Sequence, residues 1–133
     1  MFDKQESYGK AFSLCALNLQ FDSQMIPKIF DFGLTKTTLI DISYSSKSLF
    51  ESAAWTAPEY LKPKRIAERT ERGDIFGFGV IAWELVTRKE PWERVQHLEV
   101  IEKVTKGERL PFTEEFPENL KNMITTCWNN GKQ

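Results

Sequence analysis

Histidine is almost missing from this chain: His97 is the single one in 133 residues. That excludes multi-histidine zinc sites and the commonest catalytic triads, unless a partner supplies the imidazole. His97 itself reads as a solvated surface residue. Cysteine is nearly as scarce. Cys15 and Cys127 stand far apart and outside any C-x-x-C spacing. A disulfide between them is possible, but two reduced thiols in a cytoplasmic protein are the expectation. No excess of charge of one sign exists either: 18 Lys and Arg against 19 Asp and Glu give a formal net charge of −1. Nothing therefore steers the chain broadly toward nucleic acid or an anionic membrane. Apolar runs of transmembrane length are lacking, and no secretory apolar core lies near Met1. There is no repeat, and the length suits one domain. Hydrophobic residues at 41% with 28% charged describe an ordinary soluble globular protein.

What is present is organised around Asp74 to Thr87, Asp-Ile-Phe-Gly-Phe-Gly-Val-Ile-Ala-Trp-Glu-Leu-Val-Thr. Its apolar residues fall on every side of a helical wheel, which predicts a central helix over 74–87 surrounded by protein. A buried strand is the rival for any continuous apolar run, but this one is too long and does not alternate. Gly73-Asp74 opens it, Arg88 and Lys89 suit the C-terminal dipole, and Pro91 blocks continuation. Gly77 and Gly79 each cost a helix about 1 kcal/mol against Ala, so another backbone is expected to pass close there.

Along the chain, residues 1–10 are polar, weakly periodic and expected to be poorly ordered. A small hairpin is predicted, 17–21 with 26–30, turning at Asp22-Ser23, with Pro27 near the start of its second strand. From Asp31 to Glu59 hydroxyl side chains crowd one segment and no period persists. A loop of that length inside a compact domain is usually functional or disordered. Ala57 to Leu61 reads as a short helical turn closing it, and 62–73 as a charged, solvated connection. Beyond the central helix, Pro91-Trp92-Glu93 predicts a bend. His97 to Lys106 places Leu98, Ile101 and Val104 at helical spacing, ending at Gly107. Glu118 to Trp128 places Leu120, Met123, Ile124 and Cys127 on one face of a last helix.

Three landmarks then stand in order: Asp31-Phe32-Gly33, Ala57-Pro58-Glu59, and Gly73-Asp74-Ile75-Phe76-Gly77-Phe78-Gly79 opening the central helix. With the hydroxyl-rich loop between the first two, and Trp83 to Trp92 after them, they closely resemble the C-terminal lobe of a eukaryotic protein kinase. Ala54-Trp55-Thr56-Ala57-Pro58-Glu59 and Cys127-Trp128 look most like the tyrosine-kinase-like group, whose members mostly phosphorylate Ser and Thr. The resemblance covers roughly residues 14–128, less than half of a whole kinase domain. It implies a mainly α fold over 11–133: a partial kinase C-lobe with a small β-hairpin, the N-lobe absent.

The resemblance assigns roles to individual residues. Asp31 would hold Mg²⁺ bridging the ATP phosphates. Gly33 would let the chain turn sharply beside it, and Phe32 would anchor that turn. Asn18, at the family's distance before Asp31, is the candidate second Mg²⁺ ligand, with an ordinary turn residue as the alternative. The segment 31–59 corresponds to the activation segment, where phosphate on a hydroxyl recruits arginines. Ser52 lies where Ser/Thr kinases place a substrate-docking hydroxyl, although Trp55-Thr56 also occurs in tyrosine kinases. Asp74 would tie the catalytic loop to the central helix, or serve simply as its N-cap. Glu59 pairs, in the family, with an arginine well beyond the final helix.

The departures are chemical. Ser13 stands where the family's catalytic aspartate accepts the substrate proton, Ala11 and Phe12 replace the preceding His and Arg, and Cys15 replaces a lysine. Loss of general acid–base catalysis alone removes about 10²- to 10⁴-fold in rate. Residues 1–133 contain no Gly-rich phosphate loop, no Val-Ala-Ile-Lys strand and no partner-glutamate helix. The expectation is a kinase by descent, with ATP, Mg²⁺ and a protein substrate in the parent activity, yet inactive as this chain. A truncated or mis-started kinase is one history. A pseudokinase-like interaction module is the other, binding partners through the faces around Trp92 and the Leu98/Ile101/Val104 helix.

Overall fold

A computed structural model describes residues 19–30, 52–62 and 70–129. The expectations for residues 1–10, Ser13, Asn18, Asp31, Phe32, Gly33 and the rest of the 31–51 segment lie outside the described residues.

The predicted hairpin is present and short. Strands β1 (Leu19–Phe21) and β2 (Pro27–Ile29) pair antiparallel in the register Leu19 to Ile29, Gln20 to Lys28 and Phe21 to Pro27. Asp22 makes the turn: its Oδ1 accepts from the backbone N–H of Gln24 and of Ile26, both at 2.9 Å. This is the side-chain mimicry of a turn that makes aspartate favoured there.

Helix α1 (Pro58–Leu61) is the expected turn, with Pro58 at its first position, where a missing N–H costs nothing. The central helix, α2 (Glu71–Thr87), starts three residues earlier than the sequence pattern predicts. Thr70 is its N-cap residue, in extended conformation, and Asp74 sits inside the first turn rather than at the cap. Glu71 and Arg72 are good helix formers on an exposed turn, so reading 62–73 as pure connection missed them. The helix ends at Arg88, in the left-handed conformation (φ 54°), with its N–H on the Glu84 carbonyl at 2.8 Å.

Helices α3 (His97–Thr105) and α4 (Glu118–Asn129) complete the described fold. His97 is exposed, as expected. Gly107, at φ +95°, follows α3 in the conformation a C-terminal glycine supplies. The core gathers Ala53, Ala57, Leu61, Phe76, Val80, Trp83, Val100, Val104, Leu110, Phe116, Ile124 and Trp128. Within it α2 packs on α4. The loop before α4 adds an aromatic stack: Phe112 meets Phe116 edge-on at 4.8 Å and lies over Trp128 at 5.5 Å.

Three expectations about faces change. The central helix is buried along Phe76, Val80, Ile81 and Trp83, but Ile75, Phe78, Leu85 and Val86 are exposed. The described residues cover one side of it only. On α3 the inward residues are Val100 and Val104; Leu98 is 69% exposed because it points away from the core that Val104 enters. On α4 the core residues are Ile124 and Trp128, while Met123 lies at the exposed rim. Ile124 and Trp128 are four apart, so they share one side of the helix.

Candidate functional site

Residues 52–62 form the stretch of the predicted activation segment that the structure describes, and they lie between α2 and α3. A single turn of 3₁₀ helix, Ala53–Trp55, begins it. Thr56 closes that turn, its hydroxyl donating to the Ser52 carbonyl at 2.7 Å. Ser52, Ala53, Thr56 and Ala57 are all buried. Small side chains here let the strand of backbone enter the space between two helices.

Each end of this stretch is fastened to α2. The Trp55 indole N–H donates to Glu84 Oε2 at 3.2 Å, near the end of the helix. At the other end Tyr60 grips the start of α2: the Thr70 backbone N–H donates to the Tyr60 hydroxyl at 2.7 Å, and the Thr70 hydroxyl lies 3.1 Å from it. Gly73 makes room for that ring, since a Cβ there would overlap Tyr60. Burial raises the Glu84 pKa above the usual carboxylate value; the Trp55 hydrogen bond opposes this and nearby Glu90 adds to it.

Below α1 lies a cavity of about 290 Å³, bounded by Ala57, Pro58 and Glu59 on one side and by the end of α3 and the end of α4 on the other. Glu59 borders it, half-buried, and so does Arg109. Sequence reasoning left Glu59 without its family arginine and gave Arg109 no role. In the structure Arg109 is a cation within electrostatic reach of Glu59. Burial pushes the Arg109 pKa down and Glu59 pushes it up, the first effect being the larger. The guanidinium also sits 5.2 Å over the Phe76 ring and donates to the Val104 and Glu108 carbonyls at 3.2 and 2.7 Å. No periodicity marks residues 107–117, so nothing in the pattern pointed to Arg109. A pairing of the Ala-Pro-Glu glutamate with the next buried arginine would have been the signal to look for.

The structure thus brings together Ser52, Trp55, Ala57, Pro58 and Glu59 on one stretch fixed to α2. Asp74 stands half-buried in the first turn of α2. Among the described residues no cluster of His, Cys, Asp or Glu could hold a metal ion. The Mg²⁺ expectation therefore rests on Asn18 and Asp31, and Ser13 lies outside the described residues with them. Among the described residues no helix is long and apolar enough to cross a membrane.

Residues 13–133 match the family described as protein tyrosine and serine/threonine kinase. The chain belongs to that family. The kinase match spans the three landmarks, the two-stranded sheet and the four α-helices of the described residues. Individual kinases agree. The chain is 33% identical over 120 residues to the probable serine/threonine-protein kinase pats1 of Dictyostelium discoideum, covering 90% of this chain and 4% of that protein. It is 35% identical over 102 residues to mitogen-activated protein kinase kinase kinase 7 of Drosophila melanogaster, covering 76% and 14%. Against tyrosine-protein kinase Btk of the same fly it is 30% identical over 121 residues, covering 90% and 15%. The chain thus spans a small part of each of these kinases.

Proposed function

We propose that this chain is the substrate-facing part of a protein Ser/Thr kinase domain of the tyrosine-kinase-like group, and that residues 1–133 by themselves transfer no phosphate. The fastening of Ser52 to Glu59 onto α2, through Trp55 on Glu84, is the observation that carries this reading. Such a stretch, held rigidly along a helix, is suited to present a protein hydroxyl in fixed register, which positioning-based phosphoryl transfer requires. In the complete domain Asn18 and Asp31 would hold Mg²⁺ against the ATP phosphates. Ser13 would meet the substrate hydroxyl where a carboxylate normally takes its proton. A neutral serine accepts a proton poorly, so even a chain joined to an ATP-binding lobe would run slowly.

The test has two arms. Purified residues 1–133 are incubated with radiolabelled Mg-ATP and a generic protein substrate, and no label is expected in the protein. The same residues are then fused behind an ATP-binding lobe, with Ser13 retained or changed to Asp. Ser13→Asp is expected to raise transfer by about 10²-fold or more. Asp31-dependent transfer by the unfused chain would overturn the proposal, as would equal rates for the two fusions.

A further inference from the structure

We propose that the cavity beneath α1 is a binding site for a phosphorylated side chain of a protein segment. Charge selects the ligand. Lys62, Arg72, Lys106 and Arg109 border the cavity, against the single carboxylate of Glu59. Lys106 is already held by Glu102 at 2.6 Å. Lys62 and Arg72 have no ion-pair partner among the described residues, and both side chains are exposed at the rim. Three cations are therefore left to face one carboxylate, an excess that attracts a doubly charged anion and repels a second cation.

Hydrogen bonding agrees. Arg109, on the cavity wall, makes its hydrogen bonds to the Val104 and Glu108 carbonyls from one terminal nitrogen, which leaves the other terminal nitrogen for a ligand. Phosphate oxygens suit the planar fork of a guanidinium. Ala57, Pro58, Phe76, Val104 and Trp128 make most of the remaining wall apolar, and the volume of about 290 Å³ far exceeds a bare phosphate group. A phosphate carried on a peptide fills such a space; a free ion leaves the apolar wall uncovered. Pro58 and Glu59, at the end of the stretch that the functional reading turns toward protein substrates, line the cavity. The site needs no phosphoryl transfer by this chain, so it is tested separately from that reading.

Binding is measured by titration of residues 1–133 with a short alanine-rich peptide bearing one central phosphoserine, with its unphosphorylated twin, and with inorganic phosphate. The phosphopeptide is expected to bind tighter than either control. The double change Lys62→Ala with Arg72→Ala, at exposed positions, is expected to weaken it about tenfold or more while unfolding stays unchanged. Glu59→Gln, which removes the opposing charge, is expected to tighten it. Equal affinity for the two peptides, or no loss in the double variant, would overturn the site. Weaker phosphopeptide binding in Glu59→Gln would do the same. Inorganic phosphate binding as tightly as the phosphopeptide would overturn its assignment to a protein segment.

Discussion

The indole N–H of Trp55 and the carboxylate of Glu84 meet at 3.2 Å across 29 residues of chain. This bond ties the stretch that leads into α1 to the central helix of the lobe. It also gives a half-buried carboxylate one of its few compensations for lost water. Trp55→Phe should therefore destabilise the fold, whereas Glu84→Gln, which keeps an acceptor and removes the part-buried charge, should not. A double-mutant cycle in urea is expected to give a coupling of about 1 kcal/mol, small because Glu84 remains partly solvated.

The same glutamate sets a pH dependence. Its folded pKa lies above its unfolded value, with desolvation as the leading cause. The folded state therefore holds the proton more tightly, so the contribution is most favourable below the unfolded pKa. That contribution falls as pH rises from the ordinary glutamate range through the raised folded value, then stays level. Thermal midpoints of wild type and Glu84→Gln, compared over this interval, should converge at the acid end and separate toward neutrality, the variant being the less pH-sensitive.

Gly79 is a close-approach position. A Cβ there would lie 2.8 Å from the Cys127 Cβ and 3.0 Å from the Trp128 indole nitrogen, so α4 would have to move. Gly79→Ala gains about 1 kcal/mol of helix propensity but overpacks a close-packed seam, for a net loss of about 1–2 kcal/mol. Gly107→Ala meets no atom within 4 Å, and its cost comes from φ +95° alone. Chemical denaturation of both variants separates crowding from backbone strain.

Arg88 caps α2 in the left-handed region, at φ 54°. Glycine adopts that conformation without the Cβ penalty, and the cap bond uses only the backbone N–H. Arg88→Gly is expected to raise stability by about 0.5–1 kcal/mol, seen as a higher urea midpoint with an unchanged slope.

The central helix and the hairpin were legible because their signals are local: an uninterrupted apolar run for one, Asp22 and Pro27 for the other. The start of α2 was not, since Thr70, Glu71 and Arg72 look like any charged linker until Tyr60 is seen to hold Thr70. Leu98 misled for a different reason. Its spacing matches Ile101, but only the tertiary arrangement decides that Val100 and Val104 face inward. Trp128 was noted as a family mark and is also a core residue, stacked on Phe112. Within the site, the Ala57-Pro58-Glu59 landmark was plain from the sequence, whereas Arg109 emerged only once α3 and α1 were side by side.

Ile75, Phe78, Leu85 and Val86 recur at the spacing of one helical face, and water wets all of them. A dye such as ANS, which brightens on apolar surface, should therefore stain the native chain and not only its unfolded form. Gel-filtration volume should shift toward larger species as the protein is concentrated. Mild detergent below its denaturing range should reverse that shift. The oiliness that makes α2 easy to find in the sequence is also what makes the isolated chain adhesive.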